Sequence, residues 1–309
     1  MDVEASTRKI GAVKSFKKHW QLYLILIPPM VFFAIFKYYP MANMVLAFKD
    51  YNVTKGIWGS EWVGFKHFEL FFNNPVFWDL LSNTLLLSLY LLAVVFPLPI
   101  ILALMLNEVR SRKFKKVVQM VTFAPYFIST VVMVSIIMLF LSPRLGFINI
   151  LLNSLGFDSV NFLGEPSMFR SIYVWTDLWQ MAGYSSVIYL AALAGVDPSL
   201  YEAARVDGAS RLQKIRNIDL PSIMPTLVVI LILTVGNVMA LSFEKVYLLQ
   251  NDLNRASSEV IATYVYKVGL LNANYSFATA VGMFNSVVNL ILLVMVNGLA
   301  KRISKNSIW

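Results

Sequence analysis

The stretch LLSNTLLLSLYLLAVVFPLPIILALMLN, residues 80–107, contains no charged side chain. A helix needs about 20 predominantly apolar residues to cross the hydrocarbon core of a bilayer, and this stretch is longer. Because lipid offers the backbone no hydrogen-bond partner, an apolar run of this length is expected to be helical. Five further uncharged runs lie at 19–36, 117–143, 178–196, 220–243 and 268–300. The sequence therefore predicts an all-α membrane protein with six transmembrane helices.

Composition and charge placement agree with this fold class. Of 309 residues, 58% are hydrophobic and 14% charged, against about 25% charged in soluble domains, which excludes a water-soluble globule. The predicted inner segments hold 17 Lys and Arg residues and the outer segments 8. Since basic residues accumulate on the cytoplasmic side, both termini are predicted to be cytoplasmic, with residues 1–18 as a tail and 19–309 as the membrane domain. The net charge of +9 then reflects the inner face and not nucleic-acid binding.

The sequence lacks the residues that several kinds of catalysis and metal binding require. The chain has no Cys and only two His, His19 and His67, which the topology places on opposite sides of the membrane, so a shared metal site is not expected. No G-x-x-x-x-G-K-[ST] stretch is present to cradle a nucleotide. We therefore expect no enzyme activity and no cofactor in this chain; if ATP drives it, another polypeptide performs the hydrolysis.

Proline and aromatic residues mark local features. Pro97, Pro99 and Pro125 predict kinks, since each removes a backbone hydrogen bond. The stretch 147–152 is typical of a short amphipathic helix. The outer segment 41–79 is rich in Phe, Trp and Tyr, which favours packing on lipid headgroups over a docking surface.

The predicted inner loop 197–221 is the most specific feature. Asp197 can cap a helix and Pro198 suits its first turn, whereas Gly208 permits a turn with positive φ. A second helix can begin at residue 210 and lead into the fifth run. This predicts a helix–turn–helix on the cytoplasmic face that can act only by fitting into another protein. Its predicted contact residues are Glu202, Ala203, Ala204, Arg205 and Asp207.

This loop resembles the EAA loop of bacterial ATP-binding-cassette importer permeases. All seven defining positions are present, namely Glu202, Ala203, Ala204, Gly208, Ile218, Leu220 and Pro221. Other stretches resemble carbohydrate-uptake permeases of the maltose-transporter type: Trp62-Val63-Gly64-Phe65, Asn83-Thr84, Leu155-Gly156 and Phe243-Glu244-Lys245-Val246. The stretches 243–249 and 259–266 are similar to a polysaccharide- and lipoprotein-linked branch common in Gram-positive bacteria.

The resemblance implies a fold, partners and a location. These are the type I importer permease fold in a bacterial cell membrane, a second homologous permease, two copies of an ATPase subunit that binds Mg-ATP, and an extracellular solute-binding protein. The cargo would be an oligosaccharide, and the 197–221 loop would couple the permease to the ATPase. This chain lacks the two extra N-terminal spans and the large external insertion of the maltose type, so no binding-protein contact is inferred from that insertion.

Polar residues within the predicted spans, including those that border the uncharged runs, are candidates for the substrate pathway, because lipid exposure is costly for them. Helical spacing places Asp177, Gln180 and Tyr184 on one face. The other candidates are Asn237, Ser242, Glu244 and Lys245, with Asn237 and Glu244 seven residues apart in run five, and Asn285 and Asn289 in run six. Amides, carboxylates and aromatic faces are the groups that recognise sugars. As an alternative, Asn285 and Asn289 could form interhelical hydrogen bonds, and Glu244 could pair with Lys245.

The resemblance adds two expectations to this set. Tyr184, eighteen residues before Glu202, falls where a sugar contact is expected in the maltose type. Val238, Met239 and Ser242 are approximate counterparts in run five. A cationic Lys245 at the outer mouth would suit acidic, uronate-type oligosaccharides.

Two other function classes fit less well. An ion-coupled secondary transporter needs a midplane ionisable site, yet runs two, three, five and six contain no acid within them. A membrane enzyme would rest on Asp177 and Glu244 alone. We therefore favour an ATP-driven oligosaccharide importer over an ion-coupled transporter.

Overall fold

Helices make up most of the computed structural model, which describes residues 19–304. The first, α1 (Trp20–Phe48), corresponds to the first predicted run. It contains a π-helical turn at Ala34–Tyr38 and ends as a 3₁₀ helix at Ala42–Phe48. The predicted cytoplasmic tail, residues 1–18, lies outside the described residues.

A small outer unit follows α1. Its strands β1 (Lys49–Asp50) and β2 (Glu61–Trp62) pair antiparallel, with Lys49 opposite Trp62. The short helices α2 (Gly56–Gly59) and α3 (Lys66–Phe72) complete it. The Phe48 and Trp62 rings stack with centroids 5.6 Å apart, so aromatic packing holds this unit together.

The next two runs are both interrupted at their prolines, and the second of them is sharply bent. Helix α4 (Phe77–Glu108) is interrupted between Val95 and Pro97. Helix α5 (Arg112–Phe123) ends in a 3₁₀ turn that contains Pro125, and α6 (Thr130–Phe140) leaves at 102° to it. The predicted kink at Pro125 is therefore confirmed, and it divides the run 117–143 between two helices. The reason is local: Pro125 supplies no N–H, and the Ser129 side chain caps a new helix by accepting from the Val132 N–H.

The centre of the fold is one long helix. After α7 (Phe147–Ser154), which confirms the predicted amphipathic helix, comes α8 (Pro166–Ala194), 29 residues long. It packs against α4 and α5. At Gly183 the two backbones come close, because a Cβ there would overlap the carbonyl of Thr122. A glycine is thus required where α5 crosses α8.

The C-terminal half departs from the predicted runs. It contains α9 (Pro198–Val206), α10 (Arg211–Gly236), α11 (Phe243–Leu249), α12 (Arg255–Ser258), α13 (Ile261–Leu271) and α14 (Tyr275–Ser304). The prediction of a helix over 220–243 is wrong beyond Gly236, where α10 ends. The helix predicted over 268–300 begins only at Tyr275. Hydropathy does not detect these ends, because the irregular stretch 237–242 is as uncharged as the helix before it.

Membrane-spanning character is clear for most of the predicted spans. Within residues 19–304, four helices are long and apolar enough to cross a bilayer: Trp20–Phe48, Phe77–Glu108, Arg211–Gly236 and Tyr275–Arg302. The bent pair α5–α6 makes a fifth if it counts as one span. Helix α8 has the length but is more polar, since it carries Asp177 and Gln180.

Candidate functional site

A cavity of 530 Å³ lies between α4, α8, α10 and the irregular stretch after α10. Four of the predicted pathway residues line it: Asp177, Tyr184, Asn237 and Ser242. Its other polar lining residues are Ser88, Tyr173, Ser185, Tyr189 and Thr234. The cavity therefore offers hydroxyl, amide and carboxylate groups among apolar walls.

Asp177 forms an ion pair with Lys245, which is buried behind the cavity wall. The Nζ of Lys245 lies 3.1 Å from Asp177 Oδ1 and 3.2 Å from the Tyr173 carbonyl oxygen, to which it donates. It also lies 4.8 Å from the centroid of the Tyr173 ring, a cation–π distance. Since Lys245 is only 2% exposed, the expectation of an open cation at the outer mouth is wrong. The alternative Glu244–Lys245 pair is also wrong, as Glu244 is exposed and Lys245 bonds elsewhere.

Three predicted pathway residues serve contacts between elements. Gln180 donates from its side chain to the Ile128 carbonyl at 2.8 Å, across the bend between α5 and α6. Asn289 accepts from the backbone N–H of Met239 at 3.1 Å, so it bonds to the irregular stretch after α10 and not to another helix, as the interhelical alternative had it. Met239 itself is buried against α14 and α3. These residues position the cavity wall and are absent from its lining.

The helical spacing used for run five is wrong. Asn237 follows the last residue of α10, and its amide donates to the Leu233 carbonyl at 3.0 Å. Ser242 begins α11, so Asn237 and Glu244 lie on different elements and share no helix face. Asn285 lies on α14 as predicted, but its Oδ1 is buried without a hydrogen-bond partner among residues 19–304.

Three tyrosines of the site were missed: Tyr173 and Tyr189 line the cavity, and Tyr126 contacts the lining residue Tyr184. Tyr173 lies four residues before Asp177, so the helical spacing already in use could have included it. Tyr126 stacks on Tyr184 with ring centroids 3.9 Å apart and planes 2° apart. The two tyrosines are far apart in sequence, and no local pattern signals their contact.

The loop 197–221 folds as predicted. Asp197 caps α9 by accepting from the Ser199 N–H at 2.9 Å, and this hydrogen bond lowers the pKa of Asp197. Gly208 has φ +72°, the left-handed conformation that glycine adopts without strain. A capping box between Ser210 and Gln213 then starts α10.

The loop presents one face outward and anchors the other. Glu202, Ala203, Arg205, Asp207, Gly208 and Pro221 are exposed, whereas Ala204, Ile218 and Leu220 are partly buried. On the inner side, the Tyr201 hydroxyl donates to Asp219 at 2.5 Å, and Asp219 is fully buried. Burial and the neighbouring Asp219 raise the pKa of Tyr201 to about 12, so the hydroxyl remains a donor at physiological pH. This bond ties α9 to the base of α10 and was not predicted.

A family model covers most of the chain. Residues 95–305 match the family described as binding-protein-dependent transport system inner membrane component. This region contains the loop, the cavity helices α8 and α10, and α14.

Similar proteins span nearly the whole chain. The polygalacturonan/rhamnogalacturonan transport system permease protein YteP of Bacillus subtilis is 47% identical over 93% of this chain and 90% of its own length. Protein LplB of the same organism is 43% identical over 97% and 94%. A crystal structure of a bacterial ABC transporter involved in import of the acidic polysaccharide alginate contains a chain that is 41% identical, with TM-score 0.87 over 94% of this chain and 98% of that one. The alginate transporter in complex with an alginate pentasaccharide-bound periplasmic protein gives TM-score 0.88, at 41% identity over 96% and 99%.

Proposed function

Because this chain belongs to the family of binding-protein-dependent transport system inner membrane components, we propose that it is the permease subunit of an ATP-driven oligosaccharide importer. The family assignment made from the EAA loop is confirmed by the family match. One observation supports the proposal most directly: α9 and the Gly208 turn are exposed, and α10 connects them to the cavity. The hydroxyl, amide and carboxylate groups of this cavity are of the kind that bind sugars.

The proposed topology has six spans with both termini cytoplasmic. The spans are α1, α4, the bent pair α5–α6, α8, α10 and α14. Helix α8, at about 1.5 Å per residue, is roughly 43 Å long and thus long enough. Its polar residues Asp177 and Tyr184 line the cavity and do not require lipid exposure, which explains its lower hydropathy. The excess of basic residues on the inner segments supports this orientation in a bacterial cytoplasmic membrane.

A second permease is the proposed neighbour of α1. Every residue of Trp20–Met41 is exposed within the described part of the chain. The end of α1, Ala42–Phe48, packs against α14, whereas the exposed stretch before it offers an apolar surface that lipid or a second protein can cover. We place a homologous subunit against this stretch, and the 660 Å³ apolar groove lined by Met44, Val265, Gly269, Ala278 and Gly282 lies beside the end of the same helix.

The proposed ATPase contact is α9. Its residue Glu202 and the adjoining Asp207 are exposed and charged, and Ala203 allows close approach of a groove wall. Two ATPase subunits would bind Mg-ATP, move the two coupling helices together on closure, and turn the cavity outward. The Tyr201–Asp219 hydrogen bond transmits this movement to α10. This chain then needs no catalytic residue or cofactor of its own.

The proposed cargo is an oligosaccharide delivered by an extracellular binding protein. The relatives' names point to polygalacturonan, rhamnogalacturonan and alginate, and these glycans suggest a uronate-containing substrate. Within the described residues, no Lys, Arg or His lines the cavity, so here we expect recognition of hydroxyl groups. Any group that neutralises sugar carboxylates would come from the second permease.

A pull-down from native membranes tests this function. The chain is isolated in mild detergent and its partners are identified by mass spectrometry. We expect a second permease with its own EAA loop and a P-loop ATPase. The variant Glu202→Ala/Asp207→Ala should lose the ATPase and keep the second permease, whereas Arg144→Ala, at an exposed outer position, should keep both. Recovery of the chain alone, with uptake that an ionophore abolishes, would favour the ion-coupled transporter instead.

A further inference from the structure

A second cavity, of 790 Å³, lies on the cytoplasmic side between the end of α4 and the α9–α10 turn. It is separate from the substrate cavity and shares no lining residue with it. Its charged lining residues are Glu108, Arg110, Arg205, Arg211 and Lys214. Four cations therefore surround one carboxylate.

The carboxylate neutralises only part of this charge. Glu108 accepts from Lys214 Nζ at 3.4 Å and lies 3.9 Å from Arg211 Nε. Arg110 and Arg205 form no ion pair or hydrogen bond with any residue between 19 and 304, and both are exposed. Two guanidinium groups thus face one concave site without an anion, and guanidinium is the side chain best suited to bind phosphate in two-point contact.

The surroundings of the cavity point to lipid as the source of that phosphate. Helix α5 begins two residues after Arg110, at the inner membrane surface. Its residues Phe114, Val117 and Val121 follow helical spacing and are 58%, 52% and 62% exposed, so they form an apolar stripe that leads away from the cationic site. A phospholipid can place its headgroup on the cations and its acyl chains along this stripe.

We propose that this cavity binds the phosphate of an anionic phospholipid of the inner leaflet. The bound headgroup would bridge Arg110, on the end of α4, and Arg205, on the coupling helix α9. It would thereby hold the coupling helix against the bundle and make coupling dependent on the lipid composition of the membrane. This inference goes beyond the proposed transport function, and its binding step does not require the ATPase.

Native mass spectrometry of the purified full-length chain tests the binding. The chain in detergent is titrated with dioleoyl phosphatidylglycerol or with dioleoyl phosphatidylcholine. We expect phosphatidylglycerol to be retained preferentially, and Arg110→Gln to weaken its retention about fivefold, since one basic residue near a membrane surface contributes about that factor. The matched control is Lys113→Gln, which removes an exposed cation from the same basic segment outside the cavity. Equal melting temperatures of the variants would exclude misfolding.

Two outcomes would overturn the proposal. Equal losses for Arg110→Gln and Lys113→Gln would mean that the basic segment attracts lipid without a site. Competition by inorganic phosphate alone, at concentrations equal to those of the lipid, would mean that the cavity takes a soluble anion and that the acyl chains contribute nothing. The regulatory consequence is tested in reconstituted complexes by the ATPase activity that the binding protein stimulates. A fall in this activity when phosphatidylglycerol is omitted, seen in the wild type but not in Arg110→Gln, would support it.

Discussion

Lys245 and Asp177 form an ion pair, with Nζ 3.1 Å from Oδ1, at the wall of the 530 Å³ cavity between α4, α8 and α10. The two partners differ in their surroundings: the Lys245 side chain is 2% exposed and the Asp177 side chain 17%. Because Asp177 faces the cavity, water or substrate can reach it, whereas Lys245 depends on protein groups alone. The pair thus fixes the direction of a carboxylate that lines the cavity.

Removal of either partner should have unequal effects. Asp177→Asn leaves a buried ammonium group without its carboxylate and should cost about 3–5 kcal/mol. Lys245→Met should cost less, because the remaining carboxylate can be hydrated from the cavity. The double variant should recover part of the loss of Asp177→Asn. Thermal melting in lipid nanodiscs measures all three, and equal losses for the two single variants would contradict this account.

Gly208→Val should uncouple transport while the protein still inserts. No atom lies within 4 Å of a Cβ built at Gly208, so the effect arises from the left-handed backbone, which costs a side chain about 1–2 kcal/mol. The control is Gly208→Asn, because asparagine tolerates this conformation. Sugar uptake and ATPase activity are measured together. We expect uptake to fall in the valine variant and to persist largely in the asparagine variant; normal uptake in both would refute the role of the turn.

Gly183→Ala should destabilise the bundle. The new methyl group would overlap the Thr122 backbone, and overpacking of this kind costs about 1–3 kcal/mol. Gly282→Ala is the matched control on α14, where the Cβ meets no atom within 4 Å; there the higher helix propensity of alanine should leave stability equal or up to about 1 kcal/mol higher. Melting temperatures in nanodiscs that rank the two variants in the opposite order would disprove the close approach.

Tyr201→Phe should weaken the link between α9 and α10. The substitution removes the hydroxyl that donates to the buried Asp219. Since Asp219 Oδ2 already has no hydrogen-bond partner among the described residues, the carboxyl group is left unsatisfied, which should lower the free energy of unfolding by about 1–3 kcal/mol. ATPase activity should rise relative to sugar uptake, because the coupling helix moves without α10. The readout is the ratio of ATP hydrolysed to sugar transported, with Tyr247→Phe on α11 as a control outside the loop.

The pH dependence of this bond has a defined sign. The folded protein raises the pKa of Tyr201 from 10.0 to about 12, so it favours the protonated hydroxyl. Its contribution to stability is complete below pH 10 and is lost as the pH rises towards 12. Between pH 6 and 9, therefore, titration of the Tyr201 hydroxyl should not change the stability of the folded protein.

The loop and the membrane character were predictable because their signals are local. Asp197, Gly208 and Ser210 act through their own backbone or through residues within one turn, and hydropathy summed over a run reports lipid solubility. The position of the bend at Pro125 was also predictable, because proline acts locally. Its angle of 102° was not, since it depends on how α6 packs against α11. The end of α10 at Gly236 could not be read from hydropathy, which does not distinguish a helix from an uncharged coil.

The sequence by itself determined the class of protein, the family and the geometry of the coupling loop, since each depends on residues close together in the chain. Only the tertiary structure decided that Lys245 pairs with Asp177, that Asn289 bonds to Met239, and that Tyr126 stacks on Tyr184. These partners lie 50 or more residues apart. Contacts of this kind depend on the crossing of helices that pack together, and side-chain type alone offered several partners for each residue. The packing of the helices determines which of these partners each residue contacts.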